Sequence, residues 1–293
     1  MNGIFPNFFV IGAPNAGTTS IWYLLKQHPD IFMSEVKEPR FFSKEDYLHH
    51  LSWYKSLFQD VKKEKAIGEA SVNYCETHIF SNMAEKIKKY NPSSRFVYVV
   101  RDPIDRITSC WRQALSSDHW CKYYYHHELM PLDFEKAVFD YPHLLETTFY
   151  FRNIREYIRL FGEDKIKIVF YEDLKNDSLT LIQEIYEFLE VDPQFIPNGL
   201  NKPQNQGATK KMAHPSLRTL TSFIYNLQLE PFKSKNNAIV NLVSKYYPRV
   251  GQINPVWTEG AKQKLISQLQ EDSQVLLSYC GKPLKFWNID LDQ

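Results

Sequence analysis

The stretch FFVIGAPNAGTTSIWYLL, residues 8–25, limits the possible fold more than any other part of the chain. Phe8–Ile11 is a short apolar run ended by Gly12 and Pro14, which predicts a strand buried on both faces. Thr18–Gln27 then places Ile21, Leu24 and Leu25 on one face of a helix, and His28-Pro29 stops it. A buried strand that turns through glycine into a helix aims backbone N–H groups and the positive helix end at one spot, an arrangement that suits an anion. Thr18, Thr19 and Ser20 add hydroxyl donors. Taken alone, the same residues also read as a plain strand–helix turn with a capping threonine. A lysine-bearing phosphate loop needs Lys after Gly17, where this chain has Thr18, so a nucleoside or metabolite kinase is disfavoured.

The pattern continues along the chain. Ala66–Glu69 reads as a strand, Ile79–Tyr90 as a helix broken by Asn91-Pro92, and Arg95–Val100 as a buried strand leading to a helix that ends near Leu115. Tyr150–Phe161 reads as a helix, Ile166–Tyr171 as a strand, Leu179–Leu189 as a helix and Thr258–Tyr279 as an amphipathic helix. Strands alternating with helices long enough for right-handed crossovers predict an α/β fold with a parallel sheet covered on both faces. No Gly/Ser linker divides residues 1–293, so a single domain is expected, with Asn201–Trp257 as a long functional loop plus helices.

The second chemical signal is RFVYVVRDPIDRITSCWRQAL. Arg101 falls at the carboxyl end of a predicted strand, where open parallel sheets bind ligands, and Ser109 follows about two helical turns later. A guanidinium fork with a nearby hydroxyl matches the oxygens of a phosphate. The alternative is structural, with Asp102 as an N-cap and Arg101 and Arg106 as solvated ion-pair partners. A formal net charge of +1 supplies no global field for nucleic acid or anionic membranes, so any anion must be held locally. Cys75, Cys110, Cys121 and Cys280 form no CxxC pair, which argues against a zinc site or a disulfide framework. The opening MNGIFPNFFVIG lacks a basic stretch followed by a long apolar run, so neither a leader nor a membrane span is expected and the cytoplasm is the default setting.

Together, strand-GxPxxGTTSxxxLLxxHPxI, VKEPRFF and strand-RDPxxRxxSxW closely resemble the sulfotransferases that use 3′-phosphoadenylyl sulfate, with bacterial and carbohydrate-type members nearest. GEASVNY (68–74), FYEDL (170–174) and KFW (285–287) extend the likeness over most of the chain. The resemblance implies a P-loop-like, three-layer α/β fold with a central parallel sheet flanked by helices. It implies sulfuryl transfer from 3′-phosphoadenylyl sulfate, leaving adenosine 3′,5′-bisphosphate, to a hydroxyl (or amine) of a small-molecule or carbohydrate acceptor, with no metal. Ala16, Gly17, Thr18, Thr19 and Ser20 would hold the 5′-phosphosulfate, and Arg101 and Ser109 the 3′-phosphate. Gly207, Lys210 and Lys211 would belong to a loop closing over the nucleotide. Glu38 matches the general base of carbohydrate-type members, with a surface ion pair to Lys37 or Arg40 as its structural alternative.

One departure matters. The family usually has Lys, sometimes Arg, two residues before the loop glycine, and this chain has Asn15. Asn15 can donate a hydrogen bond at the bridging oxygen but brings no charge. Some relatives also carry Lys where this chain has Ala70. Lys37, Arg40, Lys210 and Lys211 are candidate replacement cations; otherwise the chain turns over slowly, or binds nucleotide without reacting. The acceptor pocket is expected between variable segments such as Glu45–Tyr54 and Asp118–His127, and His49, His50 and His78 are alternative bases near it. The oligomeric state is not legible.

Overall fold

The computed structural model describes residues 4–116, 130–200, 254–287 and 289, together with the backbone of 212–213 and 249–250. Two compact units emerge, one of residues 1–106, 146–205 and 265–293, the other of 107–145 and 206–264.

The first unit carries a five-stranded sheet. Its strands are β1 (Phe8–Gly12), β2 (Ile31–Met33), β3 (Ala66–Ala70), β4 (Arg95–Val100) and β5 (Ile166–Phe170), in the order β2-β3-β1-β4-β5. Every pairing is parallel. Such strands need an apolar run without alternation, because both faces are covered; FFVIG is buried throughout and RFVYVV from its second residue on. The helices α1 (Thr18–Leu25), α2 (Leu51–Ser56), α3 (Met83–Tyr90), α4 (Pro103–Ser116) and, further on, α7 (Tyr150–Phe161), α8 (Tyr171–Asn176) and α9 (Ser178–Phe188) connect or follow them.

Handedness decides which face each helix covers. From β1 the chain moves through α1 to β2 in one direction; from β3 through α3 to β4, and from β4 through α7 to β5, it moves in the other. With right-handed crossovers, α1 lies on one face and α3 and α7 on the opposite face. Accordingly α3 packs on α7, while α1 packs on α9. The expected three layers are present. β1 is thus flanked on both sides by strands whose connections leave on the opposite face, the position at whose carboxyl end open parallel sheets form a crevice.

Several element ends differ from the sequence reading. α3 starts at Met83 rather than Ile79, because Asn82 adopts a left-handed φ of 60° that a helix cannot continue through. β5 ends at Phe170, since Tyr171 already opens α8. β2 is only three residues long, too short to show a period. The long C-terminal helix α10 (Glu259–Tyr279) is present; its Asp272 carboxylate accepts the N–H groups of Phe151 and Arg152 at 3.0 and 2.8 Å, capping the start of α7. Trp287 packs near Tyr150 and Phe170 at centroid distances of 5.8 and 5.5 Å.

The second unit contains the later part of α4, α5 (Phe134–Asp140), most of α6 (Pro142–Glu146) and the paired short strands β6 (Met212–Ala213) and β7 (Arg249–Val250). Asp133 caps α5 by accepting from Lys136 N–H at 2.9 Å. Trp111 and Trp257 meet Phe134 edge-on, both at 5.0 Å.

Gly12 is where β1 turns toward the crevice. Its φ is 150°, and a Cβ there would stand 2.3 Å from Cys75 Sγ. Gly12→Ala is therefore expected to lower the unfolding free energy by about 1–3 kcal/mol, read from the midpoint of urea unfolding. An unchanged midpoint would show that Cys75 moves aside at no cost.

Candidate functional site

At the carboxyl end of β1 the chain runs Ala13-Pro14-Asn15-Ala16-Gly17 into α1. Ala16 N–H bonds back to the Ala13 carbonyl at 3.3 Å, and the Gly17 carbonyl accepts from Ser20 and Ile21 N–H at 2.9 and 3.2 Å. No side chain caps α1. Among the described residues, no acceptor meets the N–H groups of Gly17, Thr18 and Thr19, so three donors and the helix dipole face the crevice. The plain-turn alternative wanted a threonine cap, and none is made. Gly17 itself is required: its φ is 99°, and a Cβ would lie 2.8 Å from the Tyr171 ring and 3.2 Å from Leu174.

Arg101 follows β4, the neighbour of β1. Its guanidinium approaches the Asn15 carbonyl at 3.5 Å, reaches Asp105 at 3.1 Å and lies 4.7 Å from the centre of the Tyr171 ring. Tyr150 Oη donates to the Arg101 carbonyl at 2.8 Å, and Glu172 accepts from Asp102 N–H at 2.7 Å, so the backbone beneath the side chain is held from two elements. Arg101 Nε and Asn15 Nδ2 are buried and have no partner among the described residues. The structural alternative is met in part: Asp102 does cap α4, accepting from Asp105 N–H at 3.0 Å. Arg106, however, is fully buried rather than solvated. Ser109 lies two turns along α4, half-buried, in the stretch that falls in the second unit.

Glu38 stands on the loop after β2, beside the end of β3. Its N–H donates to the Ala70 carbonyl at 2.9 Å. One carboxylate oxygen accepts from Lys37 Nζ at 2.6 Å; the other accepts from Val72 N–H at 3.0 Å and lies 3.7 Å from Arg40 Nε. Both ion pairs of the structural alternative therefore exist, but not on an open surface: the Glu38 side chain is only 20% exposed. Asn15, Glu38 and Arg40 adopt left-handed φ values of 63°, 64° and 53°. Such conformations cost non-glycine residues of order 1–3 kcal/mol each and persist only where the surroundings over-determine them. They cluster on the two loops at this edge of the sheet.

Three sequence candidates fall elsewhere. His49 and His50 sit near Asp46 on an exposed turn, and His78 is exposed. Gly207, Lys210, Lys211 and the segment Asp118–His127 lie outside the described residues. Of the candidate cations, Lys37 is engaged by Glu38.

Two residues escaped the sequence reading. Tyr171 lies against both Gly17 and Arg101; the sequence reading made it the last residue of a strand, whereas it opens α8. Glu69 is a fully buried carboxyl on β3, bonded by Tyr54 Oη at 2.7 Å, Tyr74 Oη at 2.9 Å and Ser71 Oγ at 2.9 Å. A charge inside the apolar strand AIGEA was its signal. Burial pushes its proton affinity up to about 7, against the pull of the three hydroxyls.

Among the described residues, no group of three or more His, Cys, Asp or Glu side chains is placed to hold a metal ion, and no helix is long and apolar enough to cross a membrane.

The family model described as a sulfotransferase domain matches residues 5–243. Heparan sulfate glucosamine 3-O-sulfotransferase 5 of Mus musculus is 24% identical over 192 residues, covering 65% of this chain and 55% of that protein. Carbohydrate sulfotransferase 15 of Homo sapiens is 22% identical over 249 residues, covering 64% and 44%. The chain thus spans about half the length of these curated relatives. A sulfotransferase structure from Alicyclobacillus acidocaldarius superposes with a TM-score of 0.56 at 24% identity, over 81% of this chain and 96% of that one, a likeness of fold.

Glu69 gives a pH signature. Its folded proton affinity, about 7, exceeds the ordinary value of 4.5. Such a group stabilises fully below the lower value, and the contribution is lost as pH rises through the higher one. Between pH 5 and 8 the unfolding free energy should fall by about 2–3 kcal/mol from this group, and Glu69→Gln should lack that part of the slope. Urea unfolding of both forms across this range measures it; parallel slopes would contradict the assignment.

Proposed function

The chain belongs to the sulfotransferase family, and we propose that it moves the sulfuryl group of 3′-phosphoadenylyl sulfate to a hydroxyl (or amine) of a carbohydrate or small-molecule acceptor by in-line displacement. The observation that carries this reading is the approach of Arg101 to the Asn15 carbonyl. It puts a guanidinium and an amide-lined helix start side by side on adjacent strand ends, a fit for an anionic nucleotide. The unpartnered Arg101 Nε and Asn15 Nδ2 fit the same group, since buried donors without acceptors are costly unless a ligand meets them.

When bound, the nucleotide supplies an activated sulfuryl group on a phosphate leaving group. The N–H groups of Gly17, Thr18 and Thr19, with the hydroxyls of Thr18, Thr19 and Ser20, would hold the 5′ end. Arg101, stacked on Tyr171, would hold the 3′-phosphate, with Ser109 as its hydroxyl partner. Asn15 Nδ2 would donate toward the leaving oxygen, where it offers a hydrogen bond and no charge. Glu38 would take the acceptor proton; that step requires its carboxylate to exchange the Lys37 contact for the acceptor hydroxyl. The resemblance adds Gly207, Lys210 and Lys211, which lie outside the described residues, as further nucleotide-binding candidates. A carbohydrate acceptor is favoured by the likeness to a heparan sulfate glucosamine 3-O-sulfotransferase and a carbohydrate sulfotransferase.

A second reading, a homologue that binds nucleotide with impaired chemistry, is favoured by Asn15, where the family usually has Lys and sometimes Arg, and by Ala70, where some members carry Lys. Incubation with labelled donor and an acceptor panel, for the native chain and Asn15→Lys, separates the two. Transfer by the native chain supports the first. Tight binding of adenosine 3′,5′-bisphosphate with transfer by neither form supports the second.

Two residue outcomes follow from the first. Arg101→Ala should weaken nucleotide binding by about 2–5 kcal/mol, as expected for one partner of a desolvated charge pair; calorimetry showing native affinity would remove Arg101 from the site. Glu38→Gln should cut turnover about 100-fold or more, the usual scale of a general base, with nucleotide affinity nearly intact. Equal rates would leave Glu38 as an ion-pair partner only.

A further inference from the structure

Glu69 is buried among aromatic rings and holds three hydroxyl donors, yet it faces no charge of opposite sign in those contacts. A hydroxyl has one proton to give. Ser71 and Tyr74 both direct theirs at the Glu69 carboxylate, so their lone pairs point away from it. Each then receives a backbone N–H from one short segment: Arg40 N–H reaches Ser71 Oγ at 3.0 Å, and Phe42 N–H reaches Tyr74 Oη at 3.3 Å. The third donor, Tyr54, is stacked on Phe41 of the same segment at 4.0 Å with nearly parallel rings. Lys86 from α3 donates to the Phe42 carbonyl at 2.9 Å, and Ser43 Oγ to the Arg40 carbonyl at 2.9 Å. The segment that includes the left-handed Glu38 and Arg40 is thus tied to a single buried carboxylate through two hydroxyls and a ring.

We propose that Glu69 is a positioning residue, whose carboxylate acts through Ser71, Tyr74 and Tyr54 to fix the segment Lys37–Phe42 and hold Glu38 at the crevice edge. The polarity of the network requires an acceptor at position 69. Glutamine keeps the size of the side chain but presents an amide N–H₂ on one side, so Ser71 or Tyr74 must turn its proton away from position 69, which reorients the hydroxyl and weakens the N–H contact it accepts. The mechanical link stands on the contacts alone; its effect on turnover rests on the transfer reading.

The test uses the full chain at pH 8.5 and the variants Glu69→Gln, Ser71→Ala and Tyr74→Phe. Amide hydrogen exchange in peptides covering residues 36–43 should quicken about tenfold or more in Glu69→Gln, the scale of one lost buried hydrogen bond, while peptides from β4 and α7 keep native rates. Ser71→Ala should free the Arg40 amide and Tyr74→Phe the Phe42 amide. In the transfer assay, Glu69→Gln should lose about tenfold or more in kcat with affinity for adenosine 3′,5′-bisphosphate within about twofold of native. Native exchange over 36–43 in Glu69→Gln overturns the proposal; should that variant fail to fold, native exchange in both Ser71→Ala and Tyr74→Phe overturns it equally. Quickened local exchange with unchanged kcat overturns the link to turnover. A native chain that binds no bisphosphate nucleotide defeats the transfer reading, and the exchange result still decides the role of Glu69.

Discussion

The ring of Tyr171 is the contact on which the crevice depends. It fills the space a side chain at position 17 would need, and the Arg101 guanidinium lies over it. Loops after β1 and β4 and the helix after β5 therefore share one aromatic surface. The absence of a side chain at Gly17 lets the ring in; placing the ring there gives the guanidinium a flat, apolar face to rest on, while its Nε has no partner among the described residues. The amide-lined helix start and the cation are neighbours because the ring separates them by a fixed thickness.

Behind this contact stands the sheet topology. β1 lies in the middle, and the strands on either side of it connect over the opposite face. Only at such a position can loops from three adjacent strands diverge and leave a cleft. The candidate site residues come from the ends of β1 and β4, and from the loop after β2 that lies against β3.

Much of this was legible beforehand. FFVIG, RFVYVV and IKIVF announce buried strands because a parallel sheet leaves no polar face to mark alternation, and glycine at 12 and 17 marks the turn. What stayed hidden had physical reasons. β2 has too few residues to show a period. The start of α3 depends on the left-handed Asn82, which propensity treats as ordinary helix edge. The ion pairs of Glu38 and the burial of Glu69 are tertiary facts: nothing local in AIGEA says that two tyrosines and a serine from 54, 71 and 74 converge on its carboxyl. Arg106 looked like a solvated partner and is fully enclosed, because α4 turns that position inward.

The junction between β5 and α8 contains no loop, since Phe170 closes the strand and Tyr171 opens the helix. The placement of the ring is consequently inherited from strand pairing, where Phe96–Val100 run beside Ile166–Phe170 without a gap. Side chains alternate between faces along a strand, so inserting or deleting a single residue in β5 would turn the aromatic away from the cleft. At this junction a change of count displaces the ring even where every residue type is kept.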